Sequence, residues 1–261
     1  MKLSEARHAF ISGGASGIGL GIAEALAARG LAVTIADINE ESLSMIASAR
    51  RNGFHGIHLD TRDREGWQAA RREAEDAFGP VDILVNNAGI SPNGKRLAEM
   101  DPESFDRLIA VNLTGIYNGV WTFAAQMQAR GKGHIVNTSS QAGLIADNPG
   151  IGAYAAAKFG VTALTETLRV EMAPHGVGVT ALFPGFIQTN LRANTLRMGG
   201  EVNRYTDKVF TSPVTPRHVG PMVIEAIEEN LPCVMTHPGS WTRMQPRLEA
   251  LRAAGDARED P

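Results

Sequence analysis

Ser12-Gly13-Gly14-Ala15-Ser16-Gly17-Ile18-Gly19 follows directly on the apolar run Ala9-Phe10-Ile11 and opens a stretch of helical period at residues 18–29. A glycine-rich turn between a short buried strand and a helix lets backbone N–H groups come close to a pyrophosphate, at the helix end where the dipole favours negative charge. The stretch therefore reads as the first βα junction of a nucleotide-binding α/β domain, although a glycine pattern alone also describes a tight turn that merely packs helix on strand. Outward from it, short β-branched runs at 32–36, 56–59, 83–86, 134–138, 178–183 and 233–236 join a first strand at 9–12. They alternate with helical segments at 41–52, 64–78, 103–130, 153–173 and 216–230, the pattern of a parallel sheet covered on both faces. Thr215 before Pro216 is the expected N-cap of the last helix, and Val219, Met222, Val223, Ala226 and Ile227 form its apolar stripe.

No repeat or linker divides the chain, so residues 1–261 are expected to form one α/β domain. Residues 190–212 interrupt the alternation and read as a segment covering a substrate, whereas the last ten residues, small and charged, should be frayed. A net charge of -3 offers no basic surface for nucleic acid. The apolar runs fall short of the ~20 residues of a membrane span, and the first residues lack the apolar core of a secretory signal. The expected compartment is the cytoplasm and the expected partners are small molecules. Cys233, a lone cysteine, is read as a small buried apolar residue. The seven histidines show no metal-ligand spacing, so no metal is expected.

Asp37 ends the second strand 18 residues after Gly19. That is close to the ~20 of an acid that accepts the hydroxyls of an adenosine ribose. A carboxylate there repels a 2′-phosphate, and no Arg or Lys stands at 14–16 or 38–39 to offset it, so NAD is favoured over NADP.

The glycine spacing, Asn86-Asn87-Ala88-Gly89 after the fourth strand, Tyr154-x-x-x-Lys158 and Pro184-Gly185 after the sixth together resemble the short-chain dehydrogenase/reductase family over residues 8–190. The resemblance implies a doubly wound Rossmann sheet of seven parallel strands in the order 3-2-1-4-5-6-7, an NAD(P) cofactor, and a catalytic tetrad at Asn112, Ser140, Tyr154 and Lys158. Expected cofactor contacts are Gly13, Ser16, Gly17, Ile18 and Gly19 in the loop and Asp37 with Ile38 at the ribose. It also implies Asp60 with Thr61 at the adenine, Asn87, Ala88 and Gly89 along the cleft, Pro184 and Gly185, and Ile187 with Thr189 at the carboxamide. The family's first motif usually begins with Thr; Ser12 keeps the hydroxyl. A fainter resemblance, over 111–127 and 233–241, is to bacterial dehydrogenases of benzylic alcohols in lignin-derived aryl ethers.

The same residues make chemical sense without the family. Turning an alcohol into a ketone needs a hydride acceptor and a group to take the hydroxyl proton. Tyr154 supplies the second, and because a free phenol has a pKa near ~10 it needs help to act near neutrality. Lys158, four residues on, shares its helix face, and a positive charge there favours phenolate. Ser140 lies 14 residues before Tyr154, one more than is common in the family, and counting 13 lands on Gln141. Ser140 is preferred because Ser139-Ser140-Gln141-Ala142-Gly143 matches the family's Ser-Ser-x-Ala-Gly segment, and Ala146-Asp147-Asn148-Pro149-Gly150 accommodates the extra residue. Its hydroxyl would stabilise charge on the substrate oxygen. Asn112 is unfavourable within a helix, which supports a specific role, and the resemblance implies that it holds a water extending the proton path from Lys158.

Leu191, Leu196, Met198, Tyr205, Val209 and Phe210, beside Arg192, Arg197, Arg204 and Lys208, suggest an apolar or aromatic secondary alcohol or ketone as substrate. The helices at 103–130 and 153–173 expose Ile116, Trp121, Phe123, Val161, Leu164 and Leu168 for burial between subunits, in a homotetramer or a homodimer. The rival reading is a regulatory protein that binds NAD in the same fold without catalysis.

Overall fold

All the expected strands form: β1 (His8–Ser12), β2 (Ala32–Asp37), β3 (Phe54–His58), β4 (Ile83–Asn86), β5 (Gly133–Thr138), β6 (Val177–Phe183) and β7 (Cys233–Met235). They build one parallel sheet in the order β3-β2-β1-β4-β5-β6-β7. The computed structural model describes residues 1–49, 53–202 and 212–256. β1, β4, β5 and β6 are buried along their whole length, as strands covered on both faces must be.

The helices are α1 (Gly17–Ala28), α2 (Glu40–Ala49), α3 (Arg64–Phe78), α4 (Pro102–Ile109), α5 (Gly115–Arg130), α6 (Gly152–Met172), α7 (Leu191–Arg197), α8 (Pro216–Glu228) and α9 (Ser240–Asp256). On one face of the sheet α1 and α8 bury Ile22, Leu26, Val219, Val223 and Ile227. On the other, α3, α5 and α6 bury Trp67, Phe123, Met127 and Leu168. Phe10 of β1 meets the Phe123 ring at 5.0 Å and the Trp67 ring at 5.7 Å between centroids. The Trp67 indole N–H donates to Thr61 O at 2.9 Å, so this core also anchors the loop after β3.

Asp101 caps α4 by accepting from Ser104 N at 2.8 Å, with Pro102 at the first helical position. The helix expected over 103–130 is interrupted by one π turn, Ala110–Thr114, in which Gly115 N–H reaches back to Ala110 O. The run Pro102–Arg130 is long and apolar enough to cross a membrane by length and composition, but just over half of its most apolar stretch is buried inside the protein.

Several expectations are corrected. Cys233 is exposed, because β7 is an edge strand whose alternation turns Val234 inward and Cys233 with Met235 outward. Residues 252–256, expected to fray, continue α9, which carries no apolar stripe and contains Pro246, so periodicity did not mark it. The covering segment contains the short α7. Tyr205, Val209, Phe210, Arg204 and Lys208 lie outside the described residues, as does the end of the second helix at 50–52. Ile116, Phe123, Val161 and Leu168 are buried within their own subunit, which leaves Trp121 as the large exposed residue of that set.

Candidate active site

The strand order changes direction between β1 and β4, and an open α/β sheet forms a crevice at such a point beyond the carboxyl ends of its strands. Here a cleft of about 710 Å³ runs past the ends of β1, β4, β5 and β6. It shares Gly13, Ala88, Gly89 and Asn194 with a second recess of about 390 Å³ that reaches Asp37, Ile38 and Thr61. The result is one elongated groove from Tyr154 at one end to Asp37 at the other.

The loop that opened the sequence lies along the middle. Gly13 has φ +64, and a Cβ there would come within 2.7 Å of Ala88 Cα, so any side chain would close the groove. Ser16, Gly17 and Ile18 line the cleft, and N-cap Ser16 makes no side-chain bond to the helix, which leaves the first N–H groups of α1 for an anion. Ser12 shows what the first-position hydroxyl does: its Oγ accepts from Asn87 N at 3.1 Å and Ala88 N at 3.3 Å, tying β1 to the loop after β4. Asn87 returns the contact by donating to Ser12 O and Gly13 O at 3.3 and 3.1 Å. Asn86 bridges strands, donating to Asn137 Oδ1 at 2.9 Å.

At the far end, Asp37 is buried and accepts from Ala15 N at 3.1 Å and Asn39 N at 3.0 Å. Burial raises its pKa, against the pull of those backbone bonds and of Arg197. Two expected contacts are placed differently. The Asp60 carboxylate is taken by the Arg62 guanidinium at 3.0 Å, which holds it below its ordinary pKa, and Asp60 does not line the groove; its neighbour Thr61 does. Gly19 also lies outside the lining, and a Cβ on it would collide with Gly13 O, so it serves the closeness of loop and helix.

At the near end, Ser140, Tyr154, Lys158 and Asn112 all line the cleft with Pro184, Gly185, Ile187 and Thr189. The Ser140 hydroxyl stands close enough to Tyr154 to favour its phenolate. Gln141, the alternative by spacing, turns its side chain away to Ser240, and Ser139 secures α6 by donating to Lys158 O at 2.9 Å. The Lys158 ammonium is buried, donates to Thr138 O at 2.8 Å, and stands 5.7 Å from the centre of the Tyr154 ring. Burial lowers the Lys158 pKa to about 7 and raises that of Tyr154, with the nearby Ser140 hydroxyl opposing the rise. Desolvation thus outweighs the expected help from lysine.

Asn112 sits in the π turn, buried, with both ends of its amide on the backbone of Ile90: Oδ1 accepts from Ile90 N at 3.0 Å and Nδ2 donates to Ile90 O at 3.1 Å. The helix irregularity and the loop after β4 thus fix each other, and π turns often mark functional sites. Thr138, Leu191 and Asn194 also line the cleft, and Leu59, Val111 and Met198 the Asp37 end. Leu191 and Met198 were expected over the substrate, and Met198 instead lines the Asp37 end; Thr138, which ends β5 just before the Ser-Ser pair, Asn194, Leu59 and Val111 were not singled out. No group of His, Cys, Asp and Glu suited to a metal occurs among the described residues.

The model of the short chain dehydrogenases matches residues 7–199. The chain is similar to the trans-4-hydroxycyclohexanecarboxylate dehydrogenase of Sinomonas cyclohexanicum, with 37% identity over 203 residues covering 74% of this chain and 77% of that protein. A short-chain dehydrogenase/reductase of Burkholderia phymatum, solved in complex with NAD, superposes with a TM-score of 0.87 at 30% identity, covering 95% of each chain. The apo form of LigO from Sphingobium sp. strain SYK-6 superposes with a TM-score of 0.83 at 32% identity, covering 100% of this chain and 93% of that one. Taken with the strand order and the groove across its switch point, these likenesses show that the chain belongs to the short-chain dehydrogenase family, oxidoreductases that bind a nicotinamide cofactor and act on small molecules.

Proposed function

We propose that the protein is an NAD-dependent dehydrogenase that interconverts a secondary alcohol and its ketone, with Tyr154 as general acid and base. The observation that carries this reading is the pair of hydroxyls, Ser140 and Tyr154, that line the end of the groove opposite Asp37 together with Lys158. A regulatory binder has no use for this pair beside a buried ammonium.

The groove fits a dinucleotide: it is narrow at Gly13, has an open helix N-terminus at its middle and a carboxylate at its ribose end. When bound, the cofactor supplies the hydride acceptor. The protein's own residues do the rest. Ser140 donates to the substrate oxygen and holds it against Tyr154, whose phenolate takes the hydroxyl proton as the carbonyl forms. The charge of Lys158 stabilises that phenolate, while Thr138 O fixes the ammonium. Asn112 keeps the Ile90 backbone, and with it the groove wall, in place. Leu191, Asn194 and Met198 of the 190–212 segment close over the groove and keep water out.

The Sinomonas relative acts, by its name, on a ring alcohol bearing a carboxylate. Together with the apolar side chains of the covering segment, that supports a cyclic or aromatic secondary alcohol as substrate. NAD is the preferred cofactor because, among the described residues, Arg197 of α7 is the one cation acting on the Asp37 carboxylate, and that arginine is paired with Glu41 at 3.8 Å. Steady-state kinetics should give a kcat/KM at least about 100-fold higher with NAD than with NADP, a difference on the order of 3 kcal/mol. Asp37→Ala should erase most of it, and equal use of both cofactors by the unaltered enzyme would refute the preference.

We propose a homotetramer as the assembly. Tyr117 and Trp121 of α5 remain 44% and 51% exposed, and Val170 of α6 74%. Light scattering at micromolar concentration should give four subunits, and Trp121→Glu a smaller species. A monomeric mass for the unaltered protein would exclude it.

A further inference from the structure

Ser140 opens a single short turn, Gln141–Gly143, in which Ala142 N–H donates to the Ser140 Oγ at 3.1 Å. So brief a turn has little internal bonding, and its orientation depends on what holds Gln141. The Gln141 N–H donates to Pro184 O at 3.0 Å, and its side-chain amide donates to the Ser240 hydroxyl at 2.6 Å. Ser240, at the start of α9, is 2% exposed and donates onward to His237 O at 3.0 Å. Gly185 N–H donates to the Thr236 hydroxyl at 3.1 Å, and a Cβ on Gly185 would come within 2.6 Å of His237 Nδ1 and 3.1 Å of the Gln141 amide. The ends of β5, β6 and β7 are therefore knotted together one residue away from Ser140. The half of this knot supplied by residues 236–240 lies beyond residue 199, where the family match ends.

We propose that Gln141 and Ser240 are positioning residues: their hydrogen bond sets the Ser140 hydroxyl against Tyr154, so that the C-terminal segment completes the active site. This rests on the catalytic reading of Ser140 and Tyr154. A hydroxyl that must meet a substrate oxygen within hydrogen-bond distance tolerates little displacement, and a misplacement of ~1 Å costs about 100-fold in rate. The Arg243 guanidinium reaches the Gln141 amide oxygen at 3.5 Å and pairs with Asp147 at 2.9 Å, so the amide is held at both ends and at one orientation.

The test compares Gln141→Ala, Ser240→Ala and Ser240→Thr with Ser140→Ala, using one alcohol and NAD. The two alanine variants of the knot should lose about 10- to 100-fold in kcat, with the KM for NAD changed less than about twofold. Because the neighbouring Ser140 hydroxyl opposes the upward shift of Tyr154, displacing it should move the acid limb of kcat/KM to higher pH in both. Ser240→Thr, which keeps the hydroxyl, should recover most of the rate. Should Gln141→Ala fail to fold, the Ser240 pair decides the matter by itself. Unchanged kcat and pH profile in Ser240→Ala, or a loss that threonine does not rescue, beside an inactive Ser140→Ala would overturn the positioning role alone. Full activity in Ser140→Ala would overturn the catalytic reading beneath it.

Discussion

Tyr154→Phe should lower kcat by about 10² to 10⁴, the range in which a positioned general acid or base contributes. The KM for NAD should stay within about threefold, since only the hydroxyl is removed. This is the largest single effect the site predicts. Without that hydroxyl the proton of the alcohol has no acceptor at the end of the groove. Ser140 cannot replace it, because an aliphatic hydroxyl is far less acidic than a phenol and is not ionised near neutral pH. Stopped-flow measurement of NADH formation separates the chemical step from product release, and the loss should fall on the former. A variant that retained more than a tenth of the rate of the chemical step would remove Tyr154 from the mechanism.

Lys158→Met should move activity and stability in opposite directions. Activity should fall about 100-fold or more, and the acid limb of the profile should move to higher pH, because phenolate loses its neighbouring positive charge. Stability should rise at neutral pH. Burial lowers the lysine from 10.5 to about 7 in the folded protein, so between those values the unfolded chain binds more protons than the folded one. Wild-type stability therefore climbs with pH across that window. The full cost of the buried charge, on the order of a few kcal/mol, applies below pH 7 and vanishes above about 10.5. At about 2–4 °C per kcal/mol for a chain of this size, Lys158→Met should gain several degrees in Tm at pH 7 and nothing near pH 10.5. Loss of the bond to Thr138 O takes back part of the gain. A variant no more stable at pH 7 than wild type would mean that the ammonium is not buried at a cost.

The sheet was legible because buried parallel strands leave continuous apolar runs and each helix between them carries a stripe. Ile83-Leu84-Val85 and the α8 stripe are plain in the sequence, and the strand order followed from the motif resemblance. What escaped detection was whatever does not depend on periodicity. α9 is held by Ser240 and Arg243 through polar contacts to Gln141 and Asp147, so no apolar repeat announces it. The π turn at Asn112 depends on a partner 22 residues upstream, Ile90, which no local pattern reveals. Cys233 was misread because an edge strand cannot be told from an inner one by composition.

In the site, residue types and spacing located the Gly loop, Asp37, Tyr154 and Lys158. Spacing left the choice between Ser140 and Gln141 open by one position, and the structure separates them: Ser140 lines the cleft with Tyr154, and Gln141 turns to Ser240. Asp60 shows the converse, a residue placed correctly along the chain whose carboxylate is taken by its neighbour Arg62.

Transfer of a labelled hydrogen tests the central claim most directly. The best secondary alcohol from a panel of cyclic and aromatic compounds would carry deuterium at its carbinol carbon, and the reduced nucleotide formed from NAD would be analysed by mass spectrometry. The account predicts one deuterium in each NADH and an equimolar amount of ketone. Binding of NADH with no nucleotide reduction by any alcohol of the panel, or NADH free of label, would contradict it.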